Sequence, residues 1–220
     1  PYRWRPMTFE VNGREYLNER AAATQQTGFW FVAQARPELP DDMGILWFGV
    51  DDAATSCLTP IYCSATQVPE CFSEENGSML EYSPTSAFWL FNRIAQFAYL
   101  FYDRVAPVVR ASADEWETAQ LEAVRKVDAE ALGMSPGKRA KYLTAYSTRT
   151  AQKLFDRWNE LDKYLLVKFI DGNVKGEDAA GFIDNGNGRG IPGRIEQPGY
   201  NDRWKRAVAA DHGDVLKVVE

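Results

Sequence analysis

Residues 28–36, GFWFVAQAR, and 43–50, MGILWFGV, decide the fold. Each is apolar on both faces of an alternating strand: Phe29, Phe31 and Ala33 point one way, Trp30 and Val32 the other. A strand that is apolar on both sides is covered on both sides. The Pro37–Asp42 connection is short and rich in Pro and Asp, so the two strands form an antiparallel hairpin. Such a pair predicts a sheet inside a layered structure, with helices or another sheet against each face.

Upstream, residues 8–17 (TFEV-NG-REYL) are two short alternating runs around Asn12-Gly13, the pair that a type I′ hairpin turn demands. Downstream the period changes to helical. Ser83-Pro84 predicts an N-cap, and residues 84–105 are apolar nearly all round. Asn92, Arg93, Gln96, Asp103 and Arg104 interrupt that run below the ~18 apolar residues of a membrane span, so a buried core helix is expected. Ser112-x-x-Glu115 reads as a capping box opening a helix that Gly133 closes. Its stripe is Trp116, Ala119, Ala123, Val124, Val127 and Ala131. From Ser135-Pro136, Leu143, Tyr146, Thr150, Leu154, Trp158, Leu161, Leu165 and Phe169 step by three or four, the mark of one long amphipathic helix or two in line. Residues 172–199 then hold eight of the sixteen Gly, and a short helix is expected at 202–210. The organisation predicted is an α+β body over 1–172, with strands within 8–62 and helices within 84–170, followed by an irregular glycine-rich tail over 173–220.

A chain of 220 residues that is 45% hydrophobic is neither disordered nor a disulfide miniprotein, and it can bury roughly 70% of its unfolded surface. Lys+Arg 25 against Asp+Glu 31 gives a net charge of −6, with no basic stripe to reverse the sign locally, which argues against nucleic acid as a partner. The opening Pro1-Tyr2-Arg3-Trp4 has no initiator Met and no apolar leader, so a fragment lacking its natural N-terminal part is expected. Cys57, Cys63 and Cys71 fit no zinc spacing and are expected as buried or loop thiols, at most one pair bridged. The single His, His212, excludes metal sites that need two His and is expected to be exposed.

Five stretches carry candidate chemistry. The Asp171–Gly176 run fails as a calcium loop at Lys175 and Phe182 and reads as a turn. The Asp184–Gly190 run lacks the strand and the Lys of a phosphate loop. Asn76-Gly77-Ser78 is a glycosylation triplet of a kind common by chance. Asp51 and Asp52 follow a buried strand and are candidates for binding a substrate ammonium, set against a capping role in the next turn. The polar residues 18–20 and 24–27 lead into the first buried strand, as the lip of a site would. These residues make no complete catalytic constellation.

Specific strings go further: Tyr2-Arg-Trp-Arg-Pro6, Glu19-Arg-Ala, Ala23-Thr-Gln-Gln-Thr-Gly-Phe29, Phe31-Val-Ala-Gln34, Gly44-Ile-Leu-Trp-Phe-Gly-Val-Asp-Asp-Ala53, Thr59-Pro-Ile-Tyr-Cys63 and Thr85-Ser-Ala-Phe-Trp89. In order and density they resemble the C-terminal part of the dipeptidase A family, cysteine dipeptidases related to penicillin V acylase and bile-salt hydrolase. The resemblance implies an N-terminal-nucleophile hydrolase, two antiparallel sheets between helical layers (αββα). It implies a first-residue Cys whose thiol attacks the peptide carbonyl with its own α-amine as base, so neither imidazole, metal nor cofactor is required. This chain begins with Pro1, and its three Cys are internal. The nucleophile is therefore expected upstream, and the chain alone is expected to be inactive. Relatives place a late Arg near the nucleophile, and Arg20 is the candidate here, lowering the thiol pKa by its charge. The implied partners are small peptide substrates and the missing N-terminal part of the same protein. Two other readings stand beside this one: a non-catalytic peptide- or carbohydrate-binding α+β module, and a helical piece built on 136–170 that drives homo-oligomerisation.

Overall fold

The computed structural model describes residues 7–218, so the readings placed on Pro1 and on residues 2–6 lie outside the described residues. Two compact units divide the chain, Pro1–Lys163 and Tyr164–Glu220. The architecture is α+β: antiparallel strands come first and long helices follow.

In the first unit, β1 (Thr8–Val11) and β2 (Arg14–Leu17) form the expected hairpin. Asn12 and Gly13 turn it with φ of 52° and 72°, a conformation other side chains resist. Every residue of both strands is exposed, and Phe9 stacks on Tyr16 across the pair at 5.7 Å. Two strands alone in water are marginal, so this hairpin relies on very little.

The main sheet has the order β3 (Phe29–Gln34), β4 (Ile45–Val50), β5 (Thr59–Tyr62), all antiparallel. Pairs such as Trp30↔Gly49 and Ile45↔Tyr62 put Trp30, Gln34, Ile45, Trp47 and Tyr62 on one face. That face meets α2 (Tyr102–Leu132) and α3 (Pro136–Phe169), which follow α1 (Ala87–Leu100). Met43, Ile45, Trp47 and Tyr62 pack there with Val124, Val127 and Ala131 of α2 and Leu143 of α3. Each large side chain removed from water here is worth ~1.5–3 kcal/mol. The free edge of β5 is closed by helix side chains: Ser147 accepts from Tyr62 N at 3.1 Å, Glu117 from Leu58 N at 3.0 Å, and Trp116 donates to Leu58 O at 3.1 Å.

The opposite face differs from the expectation of cover on both sides. Phe29 is 61% exposed and Phe31 54%, with Leu46, Phe48 and Ile61 half-buried beside them. Phe48 stacks on Phe29 at 6.0 Å and meets Phe72 edge-on at 5.2 Å, the only aromatic cover on that side among the described residues. The outer edge of β3 carries no partner strand among the described residues. Composition alone predicted cover, but α2 and α3 pack on the other face.

On the covered face Trp30 lies across Gly49 and donates to Ser56 Oγ at 2.7 Å. A Cβ at Gly49 would stand 2.5 Å from Trp30 Nε1 and 3.1 Å from the carbonyl of Cys57. Gly49→Ala is therefore expected to destabilise the unit by about 1–3 kcal/mol, read from the urea midpoint.

The helices depart from their expected ends in two places. The apolar run breaks at Phe101 (φ −145°, ψ 56°), ending α1 at Leu100, and α2 then runs through Ser112 and Glu115 without a start there. Both residues serve α3 instead: Arg157 donates to Ser112 Oγ at 3.3 Å and to Glu115 at 2.8 Å. Ser83 likewise does not cap α1, which begins at Ala87. Its hydroxyl donates to Asn76 Oδ1 at 2.5 Å, while Asn76 Nδ2 donates to Glu70 O at 3.1 Å. The amide of the glycosylation triplet thus fastens its own loop. Gly133 and Ser135-Pro136 mark the turn from α2 to α3 as expected, and α3 is one helix. Cys57, Cys63 and Cys71 are all free thiols.

The second unit begins in the last turns of α3. Four two-residue strands follow, β6 (Val174–Lys175), β7 (Glu177–Asp178), β8 (Gly181–Phe182) and β9 (Ile195–Glu196), paired β6–β9 and β7–β8. Glu177 accepts from Tyr164 at 2.9 Å and from Lys168. The helix α4 (Asp202–His212) is N-capped by Asn201, whose Oδ1 accepts from Trp204 N at 3.0 Å, and His212 at its end is exposed. No helix among the described residues is long and apolar enough to cross a membrane.

Candidate functional site

The polar residues that lead into β3 and those that leave β4 meet at one lip of the main sheet, because the two strands are antiparallel. Asp51 N–H donates to Gly28 O at 2.9 Å, closing the lip just beyond the Phe29↔Val50 pair. Asp51 has φ 66°, a left-handed conformation that short polar residues tolerate best and that turns the chain out of the strand.

One face of α1 runs along this lip. Asn92, Gln96 and Tyr99 stand at i, i+4 and i+7. Asn92 Nδ2 donates to Asp51 Oδ1 at 2.7 Å, Gln96 Nε2 to Gln25 Oε1 at 2.8 Å, and Tyr99 OH to Asp52 Oδ2 at 2.7 Å. The other oxygen of Asp52 accepts from Ala54 N at 2.9 Å, and Thr24 carries the turn into β3 through a 3.0 Å bond from Thr27 N to its carbonyl. Three rungs thus bolt the segment 24–28 and the segment 51–55 to one helix.

Asp51 and Asp52 have no exposed surface. Burial pushes the Asp51 carboxyl up to about 6, against the pull of the Asn92 bond, and its Oδ2 has no partner. Burial, and then the bond to Asp52, holds the Tyr99 phenol above its usual range. An ammonium-binding role for the two carboxyls, expected from the sequence, has no open face here. Adjacent in sequence, they point to different partners and act as anchors.

Arg20 lies five residues before Gln25, on the exposed stretch between β2 and β3. It makes no ion pair or hydrogen bond among the described residues, and nothing ties it to the Asp51 rungs. Asn92, Gln96 and Tyr99 escaped the sequence reading, in which Asn92 and Gln96 served only as interruptions of an apolar run. Their i, i+4, i+7 spacing on an otherwise apolar helix was the available signal.

The lip, the sheet and α1 all fall inside one similarity. A family model described as Peptidase family C69 matches residues 5–115. A search of curated proteins finds no match.

Proposed function

This chain belongs to peptidase family C69, and from that premise we propose that it is the C-terminal part of a cysteine dipeptidase whose nucleophile, a first-residue Cys, lies upstream of Pro1. In this reading the thiol gives its proton to its own α-amine and adds to the peptide carbonyl of a dipeptide, the tetrahedral adduct collapses to a thioester as the α-ammonium returns the proton to the departing amine, and water then hydrolyses the thioester. Cys57, Cys63 and Cys71 sit within the chain and have no free amine, so none can fill that role. Arg20 lies beside the thiolate and stabilises its charge.

The observation that carries the reading is the bare apolar face of β3, with Phe29 and Phe31 more than half exposed and the strand edge unpaired among the described residues. A soluble domain keeps such a surface for a partner layer, and an upstream sheet of the same polypeptide would supply the second β layer of an αββα sandwich. The exposed β1–β2 hairpin supports the same reading.

The test compares this chain with an upstream-extended protein that begins at a processed Cys. The extended protein is expected to hydrolyse dipeptides and this chain to hydrolyse none. An extended protein without dipeptidase activity, or a free chain with it, defeats the proposal. In the extended protein, Arg20→Ala is expected to lower kcat/KM by about 10²-fold and to move the acid limb of the pH profile upward, because the thiolate loses a neighbouring cation. Arg20→Lys should restore part of both. An Arg20→Ala profile that falls without shifting removes Arg20 from the thiol.

A further inference from the structure

Four Asn-Gly pairs stand in the chain: Asn12-Gly13, Asn76-Gly77, Asn185-Gly186 and Asn187-Gly188. An Asn followed by Gly can close on itself, because no Cβ keeps the Gly nitrogen from the Asn side-chain carbonyl carbon. The closure needs a Gly N–H that is not committed elsewhere, and it is helped by a donor on the carbonyl oxygen where charge develops. The four pairs differ in both respects.

Asn76 is held at both ends of its amide. Its Oδ1 accepts from Ser83 Oγ at 2.5 Å and from Thr85 Oγ1 at 3.0 Å, and its Nδ2 donates to Glu70 O at 3.1 Å. Gly77 N donates to Glu75 O at 3.1 Å, so the attacking atom is committed. Asn12 and Gly13 are the two turn residues closed by the Val11↔Arg14 pair, and their peptide cannot swing without opening the hairpin. No donor meets the Asn12 side chain among the described residues. At Asn185, Oδ1 accepts from Asn187 N at 3.1 Å, but Gly186 N donates to Asp184 Oδ1 at 2.7 Å. Asn187 has what the other three lack in combination. Its Oδ1 accepts from Arg189 N at 2.9 Å, and Gly188 N has no hydrogen-bond partner among the described residues. Residues 184–191 are all exposed, so water reaches the loop.

We propose that Asn187 is a site of self-modification, at which Gly188 N attacks the Asn187 side chain to give a cyclic imide that water opens to aspartate or isoaspartate. The bond from Gly188 N to Asn187 Cγ forms, and negative charge gathers on Oδ1, where the Arg189 N–H already donates. The Cγ–Nδ2 bond then breaks, and ammonia leaves with the proton that Gly188 N gave up. Water adds to either imide carbonyl and one C–N bond opens. No electron is transferred, and water is the single co-reactant. Each event adds one negative charge to a chain already at −6, and the isoaspartyl product routes the backbone through the side-chain carbon. The site lies in the second unit and is independent of the proposed peptidase reaction.

The experiment incubates the folded chain in mildly alkaline heavy-oxygen water, which marks every opened ring with one heavy oxygen, and reads each pair by peptide mapping. The chain unfolded in guanidinium chloride supplies the intrinsic rate of each pair. Relative to that rate, Asn187 of the folded chain is expected to react about tenfold faster than each of the other three, the worth of one hydrogen bond on a reacting group. Its product is expected as a mixture of aspartate and isoaspartate, absent from Asn187→Gln. Asp184→Ala frees Gly186 N and should raise the rate at Asn185 about tenfold, with Asn187 unchanged. Another pair reacting first in the folded chain, an Asp184→Ala variant in which Asn185 stays slow, or one in which both sites speed up alike overturns the proposal.

Discussion

Asp128→Ala is expected to cost the first unit about 3–5 kcal/mol, a large share of the ~5–15 kcal/mol that holds a domain together. Asp128 is the counter-ion of a buried knot. Its Oδ2 accepts from Arg36 Nη1 at 2.5 Å and its Oδ1 from Tyr62 OH at 2.7 Å, and the Arg36 guanidinium lies 5.5 Å from the centre of the Tyr62 ring. Arg36 reaches from just beyond β3 and Tyr62 from the end of β5, so one carboxylate on α2 ties two edges of the sheet to the helices. Alanine leaves Arg36 charged, almost wholly buried and uncompensated, and leaves the Tyr62 hydroxyl without its acceptor. The loss is mostly the penalty of that stranded cation rather than the worth of the pair. Asp128→Asn keeps an acceptor for Tyr62 and should lose less. Urea unfolding at constant m-value checks both, and a loss under 1 kcal/mol for the alanine variant would mean that water reaches Arg36.

The second large effect is a pH dependence at the lip. The Asp51 carboxyl titrates near 6 in the fold and near 3.9 unfolded, so the fold prefers the protonated form. Stability from this group is fully present below about pH 4, is lost as pH rises through 6, and stays lost above. A difference of roughly two pKa units corresponds to about 3 kcal/mol. Asp51→Asn tolerates the same left-handed backbone and can still accept from Asn92, and it does not titrate. The stability difference between variant and parent should therefore rise in favour of the variant across pH 4–6 and level off above. The amide nitrogen in place of the unpartnered Oδ2 is itself a buried donor, so the gain at pH 7 falls short of the full 3 kcal/mol. A difference that stays flat from pH 4 to 7 would place the carboxyl in contact with water.

Local signals were the readable ones. Asn12-Gly13 announces its hairpin because the turn chemistry lies within two residues, and the apolar stripe of 143–169 announces α3 because its period is internal to the helix. The break at Phe101 was not readable: no Gly or Pro stands beside it to mark a boundary, and Tyr99 is held by a residue 47 positions away. Ser112 and Glu115 were misread for a related reason. The spacing of a capping box is also the spacing at which two residues on one helix face can share Arg157 of another. At the lip, Asp51 and Asp52 stood out as charges after a buried strand, but their role is decided by Asn92 and Tyr99, which pattern alone cannot assign. Arg20 drew notice through the resemblance and not through any spacing.

The strand Phe29–Gln34, FWFVAQ, has one more consequence. Its six residues include no proline and no charge, its first four favour extended backbone, and one edge has no partner strand among the described residues. Segments of that kind stack copy upon copy into fibrils, each backbone templating the next at a 4.7–4.8 Å repeat. Concentrated solutions of this chain therefore carry a built-in seed for cross-β aggregation, and Pro37, which cannot join a ladder, is the nearest downstream brake on its spread.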